Sequence, residues 1–224
     1  MVDTVFREWG HGNVVMPPKV NLDMSRSGHS SWANAMPAYL AFCNVGGLKW
    51  VGGYGSNPAR GLPYIMGVVV LTDPETGHTL AVMDGVYISD WRTGASAGVA
   101  AKCLAREGTG RIAVIGAGAQ GRTAAVCLRE VFPVAHITVA DISEQRRLAF
   151  RAEMEEKYRL PVSLAPTVEA AVSDADVVVL LTTAREPFVN AEWIPEGCLT
   201  LAMGSYQQAQ DRLILDADTI VVDC

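Results

Sequence analysis

Three glycines, Gly116, Gly118 and Gly121, follow the β-branched run Ile112, Val114, Ile115 in the spacing G-x-G-x-x-G, and a helix-forming segment comes directly after them. A strand, a glycine turn and a helix N-terminus in that order can cradle two linked phosphates. Gly116 permits the tight turn, Gly118 lets the backbone approach a pyrophosphate with no Cβ in the way, and Gly121 lets the helix pack closely on the strand. The helix then offers free N–H groups and the positive end of its dipole to the anion. A second β-rich run, His136 to Ala140, ends at Asp141, where a carboxylate about twenty residues beyond the glycines accepts hydrogen bonds from an adenosine ribose. This succession predicts a dinucleotide site. Asp141 favours NAD by repelling a 2′-phosphate, while Arg146 and Arg147 close by in sequence leave NADP possible.

Two cations are candidates for holding a substrate anion. Lys49 lies in Leu48-Lys49-Trp50-Val51 between the pairs Gly46-Gly47 and Gly52-Gly53. Period-2 alternation alone puts it on the solvent face of a strand. The functional alternative is an anchor or proton donor for a carboxylate, since a partly desolvated lysine shifts its pKa readily. Arg92 follows Ser89-Asp90 and is expected in the first turn of a helix from Trp91 to Arg106, where the dipole disfavours a cation. A bound anion would offset that placement, as would a salt bridge to Asp90 or Asp84. Lys19, after Pro17-Pro18, and Asp84, before Gly85, are weaker candidates.

These groups need a scaffold, and 224 residues, 50% of them hydrophobic, can build one large or two small domains. The net charge of −6 without a basic run argues against nucleic acid or an anionic membrane surface as partner. The absence of a long apolar stretch and of a signal-peptide pattern leads to the expectation of a cytoplasmic protein. Cys43, Cys103, Cys127, Cys198 and Cys224 contain no C-x-x-C pair and read as buried thiols. His11, His29, His78 and His136 have no metal-ligand spacing, so no metal is expected.

After an amphipathic helical start over Val2 to Trp9, the chain to Ser89 shows short β-rich runs between glycine and proline turns, typical of an antiparallel or mixed sheet. Gly67–Thr72 and His78–Met83 flank Asp73-Pro74-Glu75-Thr76-Gly77 as a hairpin. Small residues crowd the expected helix from Trp91, and Glu107-Gly108-Thr109-Gly110 breaks it. This break divides the chain into residues 1–108 and 109–224. Beyond it, strands are expected at 111–115, 136–140, 162–164, 177–181, 199–203 and 219–222, with helices between. The fold class is therefore α/β, a Rossmann-type doubly wound parallel sheet with an N-terminal mixed-sheet α+β domain. A chain stopping directly after its sixth strand is expected to be a fragment.

Gly46-Gly47-Leu48-Lys49-Trp50-Val51, Gly61-Leu62-Pro63, Ala81-Val82-Met83-Asp84-Gly85, Trp91-Arg92-Thr93-Gly94-Ala95 and Gly116-Ala117-Gly118-Ala119-Gln120 together resemble the ornithine cyclodeaminase, archaeal-type alanine dehydrogenase and mu-crystallin family over nearly the whole chain. The resemblance implies a mixed sheet that binds substrate and forms a homodimer, joined to a dinucleotide domain. It implies that Lys49 meets the substrate carboxylate and that Arg92 lies where substrate and nicotinamide join, with Lys19 as a further carboxylate contact. Ala119, Gln120 and Asp141 match cofactor contacts, Thr182 and Thr183 match a loop over the cofactor, and Met203-Gly204-Ser205 matches a turn near the nicotinamide. Cyclodeaminases carry an aspartate where this chain has Tyr206, so the group that would handle a second amine is missing. The resulting expectation is an NAD(P)-dependent oxidoreductase acting at the Cα–N bond of a small amino acid or cyclic imino acid, of the alanine dehydrogenase or ketimine reductase type. Its alternatives are an ornithine cyclodeaminase and a dinucleotide-binding protein without turnover, of the mu-crystallin kind.

Overall fold

The structure, a computed structural model, describes residues 1–28, 30–204 and 206–222; Ser205, His29 and Cys224, named above, lie outside them. The chain divides into two compact units, Met1–Asp90 and Trp91–Cys224. The division falls inside a helix, ahead of the Glu107–Gly110 break, because the small-residue part of that helix packs with the second unit.

In the first unit, helix α1 (Val2–Gly10) precedes strands β1 (Val14–Val15), β2 (Val20–Asp23), β3 (Ser31–Leu40), β4 (Val45–Tyr54), β5 (Ile65–Thr72) and β6 (Thr79–Asp84). The sheet order is β1-β3-β4-β5-β6, with β2 also paired to β3. Every pair is antiparallel, so of the antiparallel or mixed sheet expected from the sequence the antiparallel form is the one observed. The physical reason is the shortness of the connections, which return the chain alongside itself without a crossover helix. Asn44, at φ 50°, turns β3 into β4, a backbone region that asparagine tolerates. In the expected hairpin, the Asp73 carboxylate accepts from the N–H groups of Thr76 and Glu75 and from the Thr76 hydroxyl. These donors, the Thr76 N–H foremost, hold the Asp73 pKa below its ordinary value.

Helix α2 runs from Val86 to Leu104 and starts earlier than expected. The Asp84 carboxylate accepts from the N–H groups of Val86 at 3.0 Å and Tyr87 at 3.3 Å and so caps the helix. This overturns the placement of Arg92 in a first turn, and with it the argument from an unfavourable dipole; Arg92 lies in the second turn.

The second unit alternates β7 (Arg111–Ile115), α3 (Ala119–Arg129), β8 (His136–Ala140), α4 (Glu144–Tyr158), β9 (Val162–Leu164), α5 (Val168–Val172), β10 (Val177–Leu180), β11 (Leu199–Ala202) and α6 (Asp211–Leu215). The parallel sheet has the order β11-β10-β7-β8-β9. Its central strands β7 and β10 are apolar from Ile112 to Ile115 and from Val177 to Leu180 because both faces are covered. Ile112, Val114, Val139 and Val177 pack with Leu128, Phe150 and Met154, while Ala113, Ile115, Val178 and Leu180 pack with Val172 and Val189. A Cβ on Gly94 of α2 would lie 2.5 Å from the Thr123 carbonyl carbon of α3, so the small-residue stripe permits the close helix contact that was expected. The sixth strand is not formed: Thr219–Val222 pairs with no strand among the described residues, and Ile220, Val221 and Val222 are exposed. β-branched residues favour a strand only against an edge that pairs with them.

Asp176 ties the starts of β7 and β10 together. Its Oδ2 accepts from the N–H groups of Gly110 at 3.0 Å and Arg111 at 2.8 Å. Burial pushes the Asp176 pKa up, but these N–H groups and the Arg111 guanidinium outweigh it and hold the pKa below its ordinary value. A depressed folded pKa contributes stability that is present above the unfolded value and is lost as the pH falls through the folded one. Asp176→Asn should cost about 1 to 2 kcal/mol at neutral pH. In urea titrations the gap from wild type should close in acid below the carboxylate range, and a constant gap would contradict the linkage.

Candidate active site

The chemistry-bearing groups of the second unit gather at the C-terminal ends of its strands. Strand order reverses between β7 and β10, and such a switch point opens a crevice for ligand. Gly116, at φ 113°, leaves β7 in a conformation that L residues avoid, and a Cβ there would come within 2.7 Å of the Leu181 carbonyl oxygen. Gly118 caps α3 with no side-chain hydrogen bond, and a Cβ on it would meet nothing within 4 Å. A Cβ on Gly121 would overlap the Gly116 carbonyl oxygen. Two glycines thus serve packing, and the middle one leaves open space before the helix N-terminus, which is the cradle a pyrophosphate requires.

The peptide of Ala117 between the first two glycines is held from both sides. Its N–H donates to Asp141 Oδ2 at 2.9 Å, while Asp141 Oδ1 accepts from the Ser143 N–H at 2.8 Å. A carboxylate oxygen accepts more than one hydrogen bond, so Asp141 keeps capacity for ribose hydroxyls. The Ala117 carbonyl accepts from Arg122 Nη1, and Arg122 Nε donates to Glu153 at 2.8 Å. Sequence reasoning passed over Arg122 because an arginine on a helix reads as a solvated charge. Arg147 donates to the Ala165 carbonyl at 2.9 Å, whereas Arg146 is exposed.

Across the switch point, the Thr182 hydroxyl accepts from the Ala184 N–H at 3.2 Å and from Gln208 Nε2 at 2.9 Å. Thr183 is exposed; Met203 and Gly204 are half-buried beside β11. Gln208, only 2% exposed, was not found from sequence. Gln207-Gln208 reads as a polar loop, and only the fold buries the second residue. Tyr206 sits under the Arg185 guanidinium, 5.6 Å from its ring centroid.

In the first unit, Lys49 is half-buried, and its Nζ donates to the Ser89 hydroxyl at 3.3 Å. The solvent-face alternative is thereby corrected, because the Lys49 side of the sheet meets the first turn of α2. Lys19 is exposed ahead of β2, and Arg92, in the second unit, is exposed on α2. Cys43 and Cys103 are exposed rather than buried. Burial pushes the Cys198 thiol up to about 11, and nearby Asp176 adds to that, which favours the protonated thiol.

The pattern of a family, "Ornithine cyclodeaminase/mu-crystallin family", matches residues 1–223. The chain belongs to this family. It is 39% identical over 225 residues to an alanine dehydrogenase of Archaeoglobus fulgidus, covering 99% of this chain and 67% of that protein. Among solved structures, the Thermococcus litoralis Delta(1)-pyrroline-2-carboxylate reductase in complex with NADH and L-proline superposes with a TM-score of 0.91 at 31% identity, covering 95% of this chain and 67% of that one. An archaeal alanine dehydrogenase dimer with bound NAD gives a TM-score of 0.81 at 39% identity, over 89% and 59%. The chain thus spans about two thirds of the length of these family members or less. None of its helices is long and apolar enough to cross a membrane among the described residues.

The two glycine environments separate in a stability assay. Gly118→Ala should leave the thermal midpoint within a degree or two, since its φ of −79° suits any residue and its Cβ has room. Gly121→Ala should destabilise by about 1 to 3 kcal/mol. Equal midpoints for the two variants would refute the packing role of Gly121.

Proposed function

We propose that the protein is an NAD-dependent oxidoreductase acting at the Cα–N bond of a small amino acid or cyclic imino acid. The observation that carries this reading is the open space at Gly118 before α3, flanked by the fixed Asp141 carboxylate. Family members named alanine dehydrogenase and Delta(1)-pyrroline-2-carboxylate reductase, one solved with NAD and one with NADH, support it.

In this reading Gly116, Gly118, Ala119, Gln120 and Gly121 hold the pyrophosphate, and Asp141 accepts from the adenosine ribose and repels a 2′-phosphate. Arg147, spent on the Ala165 carbonyl, leaves exposed Arg146 as the nearby cation for NADP. Thr182, Thr183, Met203 and Gly204 line the nicotinamide half. When bound, the nicotinamide supplies the hydride acceptor or donor. Lys49, Arg92 and Lys19 hold the substrate carboxylate, which fixes Cα in place. Lys49, a donor to the Ser89 hydroxyl, or a positioned water moves the proton. Tyr206 beneath Arg185 favours this reading over cyclodeamination, which would use a carboxylate there.

The first unit also supports a homodimer. Leu48 pairs Val70, which pairs Val82, and Leu22 shares a row with Met66, so these side chains occupy one sheet face. On it Val20 is 64% exposed, Leu22 47% and Val82 66%, an apolar area that monomers rarely leave open. A second copy of this chain is the occupant in this reading, in keeping with the dimer formed by the archaeal alanine dehydrogenase relative.

Full-length protein mixed with NADH, ammonia and pyruvate, or with NADH and cyclic imino acids, should consume NADH as followed by absorbance. Lys49→Ala should lower kcat/KM by roughly ten- to a hundredfold. Absence of turnover on every amino and imino acid would remove the reading. Light scattering should give the mass of two chains, and Leu22→Lys with Val82→Lys should reduce it to one.

A further inference from the structure

Gln208 is buried to 2% exposure at the edge of the parallel sheet, yet it is a glutamine. Its Nε2 donates to both the carbonyl and the hydroxyl of Thr182. A Cβ on Gly204 would lie 2.6 Å from the same nitrogen, so the amide rests directly against the turn after β11. Its own backbone carbonyl accepts from the N–H groups of Phe188 at 2.9 Å and Val189 at 3.1 Å, and Val189 bridges Ala209 in parallel. One residue therefore clasps the loop that leaves β10 to the turn that leaves β11.

The side-chain oxygen tells against a purely architectural role. Gln208 Oε1 is buried without a hydrogen-bond partner among the described residues. A buried amide with one half unsatisfied is a poor structural choice compared with an apolar residue of the same length. A glutamine at this position is accounted for if what matters is the two donated hydrogen bonds, which fix the position and orientation of Thr182.

We infer that Gln208 is a positioning residue for the nicotinamide half of the dinucleotide, acting through Thr182 and the Gly204 turn. This rests on the dinucleotide reading of the same sheet edge. The adenosine half is held on the other side of the switch point, by the glycine loop and Asp141, whose Ala117 contact does not involve Gln208. The two halves are thus held by separate sets of hydrogen bonds. Gln208→Met keeps the length of the side chain, removes both donors, and also removes the unsatisfied oxygen.

The test is calorimetric titration of the full chain and of its Gln208→Met variant with NADH and with ADP-ribose, which lacks the nicotinamide, alongside the thermal midpoint of each without ligand. The expected result is NADH affinity weakened roughly three- to tenfold, as loss of one or two net hydrogen bonds implies. ADP-ribose affinity should be unchanged whatever the ligand-free midpoint does, since the variant removes the orphan oxygen but also leaves the Thr182 carbonyl without its donor. Gln208→Leu, of similar volume, should repeat the result and carries the test if the methionine variant fails to fold. Unchanged NADH affinity, or equal weakening for both ligands, would overturn the inference. A wild type that binds neither ligand would instead bring down the dinucleotide reading, and Gln208 with it.

Discussion

Helix α3 lies so close to strand β7 that a Cβ on Gly121 would overlap the Gly116 carbonyl oxygen. That approach sets the height of the helix N-terminus above the sheet and leaves open space at Gly118. It also brings the loop end at Gly116 against the Leu181 carbonyl, where β10 gives way to its own loop. One close contact therefore relates both sides of the switch point. The apolar strands beneath, buried on both faces, give the contact a rigid floor.

Polar side chains finish what backbone packing begins. Asp141 and Arg122 take the N–H and carbonyl of the Ala117 peptide, and Glu153 holds Arg122 in turn. On the other side Gln208 donates to the carbonyl and the hydroxyl of Thr182. Each clasp fixes a loop by spending donors and acceptors that would otherwise require water. Loops held in this way keep the geometry of a site without a ligand present, which lowers the ordering cost of binding.

The first unit shows how an antiparallel sheet divides its labour between faces. The row containing Lys49 meets the first turn of α2, and the alternate row containing Leu48 and Val82 is open. A single period-2 pattern thus places a half-buried cation on one face and exposed apolar side chains on the other. Asp84 is the hinge of this arrangement in chemical terms, because its carboxylate ends β6 and starts α2 within three residues.

Local order along the chain was enough to determine the glycine turn, the strand before it, the acid after it, the Asp73 hairpin and five of the parallel strands, because each depends on neighbours in sequence. The start of α2 was misplaced because Asp84 caps across Gly85, and a cap overrides the apparent onset at Trp91. The strand expected at 219–222 was not formed because a strand needs an edge that sequence does not display. Which face of β4 is open, and that Arg122 and Gln208 are structural clasps, depended on partners far along the chain: Ser89, Glu153 and Thr182. Residue type and spacing therefore fixed the chemistry available to this protein. Only the tertiary structure decided which polar groups are buried, since desolvation and partner choice arise from packing between segments that the chain order keeps apart.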